Sequence, residues 1–301
     1  MFKKITLFFI LTFLVVTLSA CSSKQSSSTD TSSKIQVLVS FNAMKEFTKA
    51  VGKDKVEIKT IVPNGTEPHD FEPTVKDFMR LSNAKVFIYN GFGMEAWVSK
   101  ALTSIDNKNL IVVNASKGST PIPTSNSESK NGGQDDPHLW LSLKGAENEA
   151  KNIKDALIKA APADKDYFEK NYLDYYNQLE QLYDDYNTKF SNCSNKNFVT
   201  GHAAFAYLCK DFGLKQNSVE DVFAEGEPSA KKLKQLVDYC KDNKIKTIFV
   251  EDMVSPEVSE TLAKEVGAKT ETIYTMASKE DNKDYLQCMK ENLEKIYSSL
   301  K

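Results

Sequence analysis

Histidine is the scarcest of the strong metal-binding residues in this 301-residue chain, which has three: His69, His138 and His202. Separations of 69 and 64 residues exclude a local metal clip such as HExxH or a finger of paired Cys and His. None of the five cysteines stands in a CxxC pair or beside a histidine motif, which makes them poor metal ligands. A nucleophile elbow and a carboxylate set for a second metal are also missing, and with them the common signatures of a hydrolase. Excess positive charge is absent: without Lys3 and Lys4 the chain has 37 basic against 41 acidic side chains, a net charge of −4, and nothing suggests nucleic acid. The apolar run from Ile5 to Leu18 is short for a membrane span and has no stop-transfer flank.

That run follows Lys3 and Lys4 and leads into Leu18-Ser19-Ala20-Cys21. It resembles a lipoprotein signal ending in a lipobox, which implies removal of residues 1–20, lipidation of Cys21, and anchoring of the mature chain to the extracytoplasmic face of the cell membrane. The Ser-rich stretch 21–33 has nothing to bury and reads as a tether. The remaining cysteines, Cys193, Cys209, Cys240 and Cys288, lie in ordinary apolar-periodic sequence and read as buried free thiols rather than disulfides.

From Lys34 the pattern alternates. Strands at 35–41, 56–62, 85–89 and 110–114 are separated by helices at 42–51, at 74–82 and from near Met94, and such alternation predicts a parallel sheet. Lys117 to Asp136 contains one aliphatic side chain and reads as a mobile surface loop. Helical sequence from 145 is broken at Ala161-Pro162, with Pro162 fit for the first position of a new helix. That helix carries Tyr167, Phe168, Tyr172, Tyr175, Leu179, Leu182, Tyr183 and Tyr186 at three- and four-residue spacing, a stripe that reads as core packing. Strand and helix then alternate again, with Ser229 and Ser255 as N-caps and Gly267 as a C-cap. The expected fold is α/β: an N-terminal lobe at 34–144, connecting helices at 145–191 and a C-terminal lobe at 192–301. Two similar parallel-sheet lobes are joined by one long helix, with a cleft between them and ligands bound beyond the carboxyl ends of strands.

Each histidine stands near such an end. His69 lies in Pro63-Asn64-Gly65-Thr66-Glu67-Pro68-His69-Asp70-Phe71-Glu72-Pro73, where three prolines stiffen a loop between strand and helix. His138 lies in Asp136-Pro137-His138-Leu139-Trp140-Leu141-Ser142, with an aspartate near enough to orient its other ring nitrogen. His202 lies in Gly201-His202-Ala203-Ala204-Phe205-Ala206-Tyr207, at a strand-to-helix junction where nearby carboxylates would offset the helix's positive end. Three imidazoles are a near-minimal zinc set, but each could equally be a lone loop or core histidine.

These three stretches resemble, in order, the ligand motifs of the metal-binding solute-binding lipoproteins of bacterial ABC importers, the zinc and manganese class called TroA-like or ZnuA-like. The resemblance covers the chain after Lys34 and implies that His69, His138 and His202 are metal ligands, two from the first lobe and one from the second. It also implies an ABC permease and its ATPase as partners, with the chain itself a monomer. The family's fourth ligand, an Asp or Glu after the last strand, has no counterpart near Ala277; Glu280 is the nearest acidic side chain, and either it or water would complete the sphere. Glu67 and Glu72 read as solvated loop charges.

Three nitrogens without an obvious fourth carboxylate favour Zn²⁺ over Mn²⁺, which prefers an oxygen-rich shell. The expected function is a zinc carrier, with a carrier for manganese or another divalent metal as the alternative. Three histidines plus water also describe a catalytic zinc, with Glu67 or Glu72 the only nominees for a base; an adhesin on the same fold is a third reading. The chain is expected not to be an enzyme, and its metal affinity is expected to fall as pH drops through the histidine range.

Overall fold

In β1 (Ile35–Val39) the apolar residues Val37, Leu38 and Val39 follow one another without alternation, as in strands covered on both faces. A computed structural model describes residues 34–124, 134–224, 228–253 and 255–301. Among them β1, β2 (Val56–Thr60), β3 (Val86–Tyr89) and β4 (Ile111–Asn114) form one parallel sheet in the order β2-β1-β3-β4. A second parallel sheet, in the order β6-β5-β7-β8, is built from β5 (Asn197–Thr200), β6 (Lys215–Ser218), β7 (Thr247–Val250) and β8 (Lys269–Thr272). Helices α1 (Asn42–Gly52), α2 (Val75–Asn83) and α3 (Val98–Thr103) connect the first set. Helices α6 (Ala206–Phe212), α7 (Ala230–Asp242) and α8 (Glu257–Val266) connect the second. Between the sets run α4 (Leu143–Ala160) and α5 (Lys165–Ser191), and α9 (Tyr285–Ser299) closes the chain.

Residues of opposite parity on each strand enter different cores, because successive side chains point to opposite faces. Leu38 and Phe87 pack outward with Leu81, Trp97 and Ala101, while Val199 and Ile248 pack outward with Leu236 and Leu262. Val37, Val39, Val86 and Ile88 face inward, as do Phe198 and Phe249 of the second sheet, and all six belong to one continuous core with α4, α5 and α9. The chain from Lys34 to Lys301 is accordingly one compact unit, in which the two lobes share their largest core.

The 27 residues of α5 give a rod of about 40 Å at 1.5 Å per residue. Pro162 opens a 3-10 turn at Pro162–Asp164 that leads into it. Phe168, Tyr175, Leu179, Leu182, Tyr186 and Phe190 are buried along this helix, so the aromatic stripe is core packing. Ser229 caps α7, its side chain accepting from Lys232 N, and Gly267 ends α8 in the left-handed conformation at φ 69°. The four cysteines of the described residues are free thiols. No helix among the described residues is long and apolar enough to cross a membrane.

Several expectations need correction. The helix placed near Met94 begins at Val98, because Gly91, Phe92 and Gly93 all take positive φ and keep the chain out of the right-handed helical region. After the strand-to-helix junction at His202, the helix itself begins only at Ala206. Pro256, not Ser255, precedes α8. The loop from 117 to 136 is not loose throughout: Pro123 and Asp135 form an antiparallel bridge, with Thr124 N donating to Gln134 O at 3.0 Å and Asp136 N to Ile122 O at 2.8 Å. Its middle, 125–133, lies outside the described residues, as do the signal expected at 1–20, Cys21 and the tether at 21–33.

Candidate metal centre

The three histidines, distant in sequence, meet at their Nε2 atoms. His138 Nε2 stands 3.2 Å from His69 Nε2 and 3.4 Å from His202 Nε2. Lone pairs this close need something positive among them, either a proton on one ring or a cation shared by all. Two nitrogens bound tetrahedrally at about 2.0–2.1 Å from Zn²⁺ are themselves about 3.3–3.4 Å apart. Both observed spacings lie near that edge. As they stand, no three or more His, Cys, Asp or Glu side chains among the described residues are arranged so that they could hold a metal ion. The arrangement is a vertex at His138 with a partner on each side.

Each ring is held by its loop. His69 follows β2 in the proline-rich stretch, where Gly65 takes φ 78° and its N–H donates to Ser278 Oγ at 2.7 Å. The His69 ring meets Phe223 edge-on at 5.4 Å, and Glu67 Oε1 lies 3.9 Å from its Nε2. The Asp136 carboxylate accepts from both the backbone N and the Nδ1 of His138, each at 2.9 Å. A proton on Nδ1 leaves the Nε2 lone pair of His138 free to coordinate. His202 stands just past β5, its carbonyl accepting from Thr200 Oγ1 at 2.6 Å and Gln216 Nε2 at 2.9 Å. Glu251, directly after β7, places Oε1 3.4 Å from His202 Nδ1, an ion-pair distance rather than a full hydrogen bond. The other oxygen of Glu251 is buried without a hydrogen-bond partner.

Burial and like neighbours set the charges. Burial, with His138 and His202 close by, pushes the His69 pKa down to about 2. Burial also lowers that of His138, against the pull of Asp136. At His202 burial opposes the proton, but Glu251, helped by Glu67 and Glu220, outweighs it and raises the pKa. The carboxylates expected beside His202 are therefore Glu251, Glu67 and Glu220.

Glu280 is buried, accepts from Met276 N at 3.2 Å, and is pushed up to about 7 by burial and the neighbouring Asp252. Among the described residues no hydrogen bond or ion pair joins it to the three imidazoles. Glu67 is largely buried, and burial raises its pKa. It is therefore no simple solvated loop charge, whereas Glu72 makes no contact with the histidines among the described residues. Sequence reasoning missed Glu251. Its one available signal was position, the first residue beyond the carboxyl end of a parallel strand.

Residues 37–299 match the protein family described as ZnuA, zinc-uptake complex component A, periplasmic. A protein of Treponema pallidum (strain Nichols) described as metal-binding is 41% identical over 287 residues, covering 92% of this chain and 91% of its own. The high-affinity zinc uptake system protein ZnuA of Bacillus subtilis (strain 168) is 38% identical over 315 residues, covering 100% of this chain and 99% of the relative. Among solved structures, the laminin binding protein Lmb of Streptococcus agalactiae, titled a bifunctional protein with adhesin and metal transporting activity, superposes with a TM-score of 0.82. It is 36% identical and covers 89% of this chain and 100% of that one.

Proposed function

We infer the function of this chain from one premise: it belongs to the family of the periplasmic zinc-uptake complex component A. It is the extracytoplasmic zinc-binding component of an ABC-type importer, which captures Zn²⁺ and delivers it to a permease driven by an ATPase. The chain acts as a binding protein of a transporter, and its metal is cargo. Cys21 carries the lipid anchor, and the protein works as a monomer.

The observation that carries the site assignment is the meeting of three Nε2 atoms at tetrahedral-edge spacing, 3.2 and 3.4 Å about His138. His69, His138 and His202 hold the ion, and water or Glu280 takes the fourth position. An imidazole-rich, low-coordinate set favours zinc over manganese. Asp136 and Glu251, behind two of the rings, supply negative charge that offsets the dication.

Metal analysis of the purified chain, followed by competitive Zn²⁺ and Mn²⁺ titration, tests this reading. Zinc should be recovered and should outcompete manganese by orders of magnitude. His202→Ala should weaken zinc binding by more than the roughly 10- to 100-fold that loss of an outer-shell partner costs. Parental zinc affinity in His202→Ala would refute the site.

A further inference from the structure

We propose that Asn90 and Tyr207 are positioning residues for metal capture, gripping two consecutive carbonyls, Pro137 O and Asp136 O, that set where His138 stands. The inference rests on His138 being a ligand. His138 is the ring whose nitrogen neighbours both of the others, so an error in its place disturbs both Nε2 contacts at once.

The first grip comes from a strained turn in the first half. After β3 the chain passes through Gly91, Phe92 and Gly93 at φ 100°, 50° and 87°. Such a run persists only where surrounding contacts fix it. The buried Glu95 carboxylate provides them, accepting from Asn90 N at 2.8 Å and Gly91 N at 3.1 Å. So held, the Asn90 side chain donates from Nδ2 to Gly91 O and to Pro137 O, both at 2.9 Å. Two carbonyl acceptors require the amide nitrogen on that side, which fixes the orientation of the group.

The second grip comes from the other half of the molecule. Tyr207, on α6, donates its hydroxyl proton to Asp136 O at 2.9 Å and accepts from Ile122 N at 3.0 Å. Its ring lies parallel to Phe92 at a centroid distance of 6.3 Å, so the strained turn and the tyrosine brace each other. Asp136 and Pro137 are thus fixed through their carbonyls from both sheets, while the Asp136 side chain fixes the His138 ring. The hydrogen bonds are buried and face the peptide backbone; their effect is on geometry rather than on the charge of the site.

The test uses the full chain and four proteins: parent, Asn90→Ala, Tyr207→Phe and His138→Ala. Each is titrated with Zn²⁺ in competition and with Co²⁺, whose visible spectrum reports coordination geometry. Asn90→Ala and Tyr207→Phe should each lose about 10- to 100-fold in zinc affinity, and their cobalt spectra should differ from the parent's. The metal-free melting temperature of Tyr207→Phe should fall by only a few degrees, as expected for one hydroxyl lost with two backbone partners. Parental affinity and a parental cobalt spectrum in both variants, with binding lost in His138→Ala, would overturn the positioning role and leave the site assignment intact. Parental affinity in His138→Ala would overturn the assignment itself and this inference with it. Should Asn90→Ala fail to fold, Tyr207→Phe decides alone, since it keeps the ring and loses one hydroxyl.

Discussion

Asp136 accepts from His138 Nδ1 at 2.9 Å, and the Glu251 carboxylate stands 3.4 Å from His202 Nδ1, so two of the three imidazoles have negative charge on the side away from their Nε2 atoms. Asp136→Asn and Glu251→Gln should each lower zinc affinity about 10- to 100-fold. Competitive titration checks this, and unchanged affinity in both would remove the electrostatic role. A different residue governs stability. Glu149 is fully buried without hydrogen-bond partners for either oxygen, and burial, with Glu95 nearby, raises its pKa well above the ordinary value. Its carboxyl then stays protonated in the folded chain where the unfolded chain has released the proton, so stability falls as pH rises above about 4.5. Glu149→Gln should therefore gain on the parent across that rise, by at most about 1.4 kcal/mol per pH unit. Urea denaturation at pH 4 and pH 8 measures it, and a difference independent of pH would contradict the assignment. The histidines were legible in the sequence because they are few and each sits in a distinctive motif. Glu251 was not, because its partner His202 lies 49 positions away and no local pattern marks the pair.

Among the elements, those carrying apolar periodicity were readable, while their starts near the site were not. The helix expected near Met94 begins four residues later, at Val98, after three residues at positive φ, and the helix after His202 begins only at Ala206. In the 90–93 turn this is measurable. A Cβ on Gly91 would stand 2.3 Å from Asn114 Oδ1 and 2.4 Å from Ser116 Oγ, in a conformation that L-residues rarely adopt. Gly91→Ala should cost at least about 1–3 kcal/mol from the backbone alone, read as a lowered denaturation midpoint. Parental stability would mean that the turn relaxes freely. Farther from the site, α5 was legible from its aromatic stripe. Phe190, fully buried among Tyr186, Phe212 and Tyr297, should cost about 3–5 kcal/mol when cut to alanine.

For the whole molecule, the alternation of strands and helices made two sheets readable, but it could not reveal that their inner faces share one core with α4, α5 and α9. Contacts between residues far apart in sequence leave no periodic trace. The shared core predicts a single cooperative unfolding transition for residues 34–301, and the 34–144 segment made alone should lack dispersed amide resonances. A well-folded isolated segment would contradict this. Zinc at 100 times its dissociation constant should add about 2.7 kcal/mol to the stability of the whole, seen as a raised melting temperature. The segment after β8 illustrates the same coupling. Asn42 donates to Ser278 O at 2.9 Å, Gly65 N to Ser278 Oγ at 2.7 Å, and Trp140 to Thr275 O at 2.7 Å, so a stretch that follows the last strand of the second sheet is fastened to the first half. Wide rocking of one sheet against the other would have to tear those bonds. Loop motions run on nanoseconds to microseconds, while collective hinge motions take microseconds to milliseconds. Three such ties, one of them on the loop that carries His69, join the two halves where a freely swinging hinge would need open space.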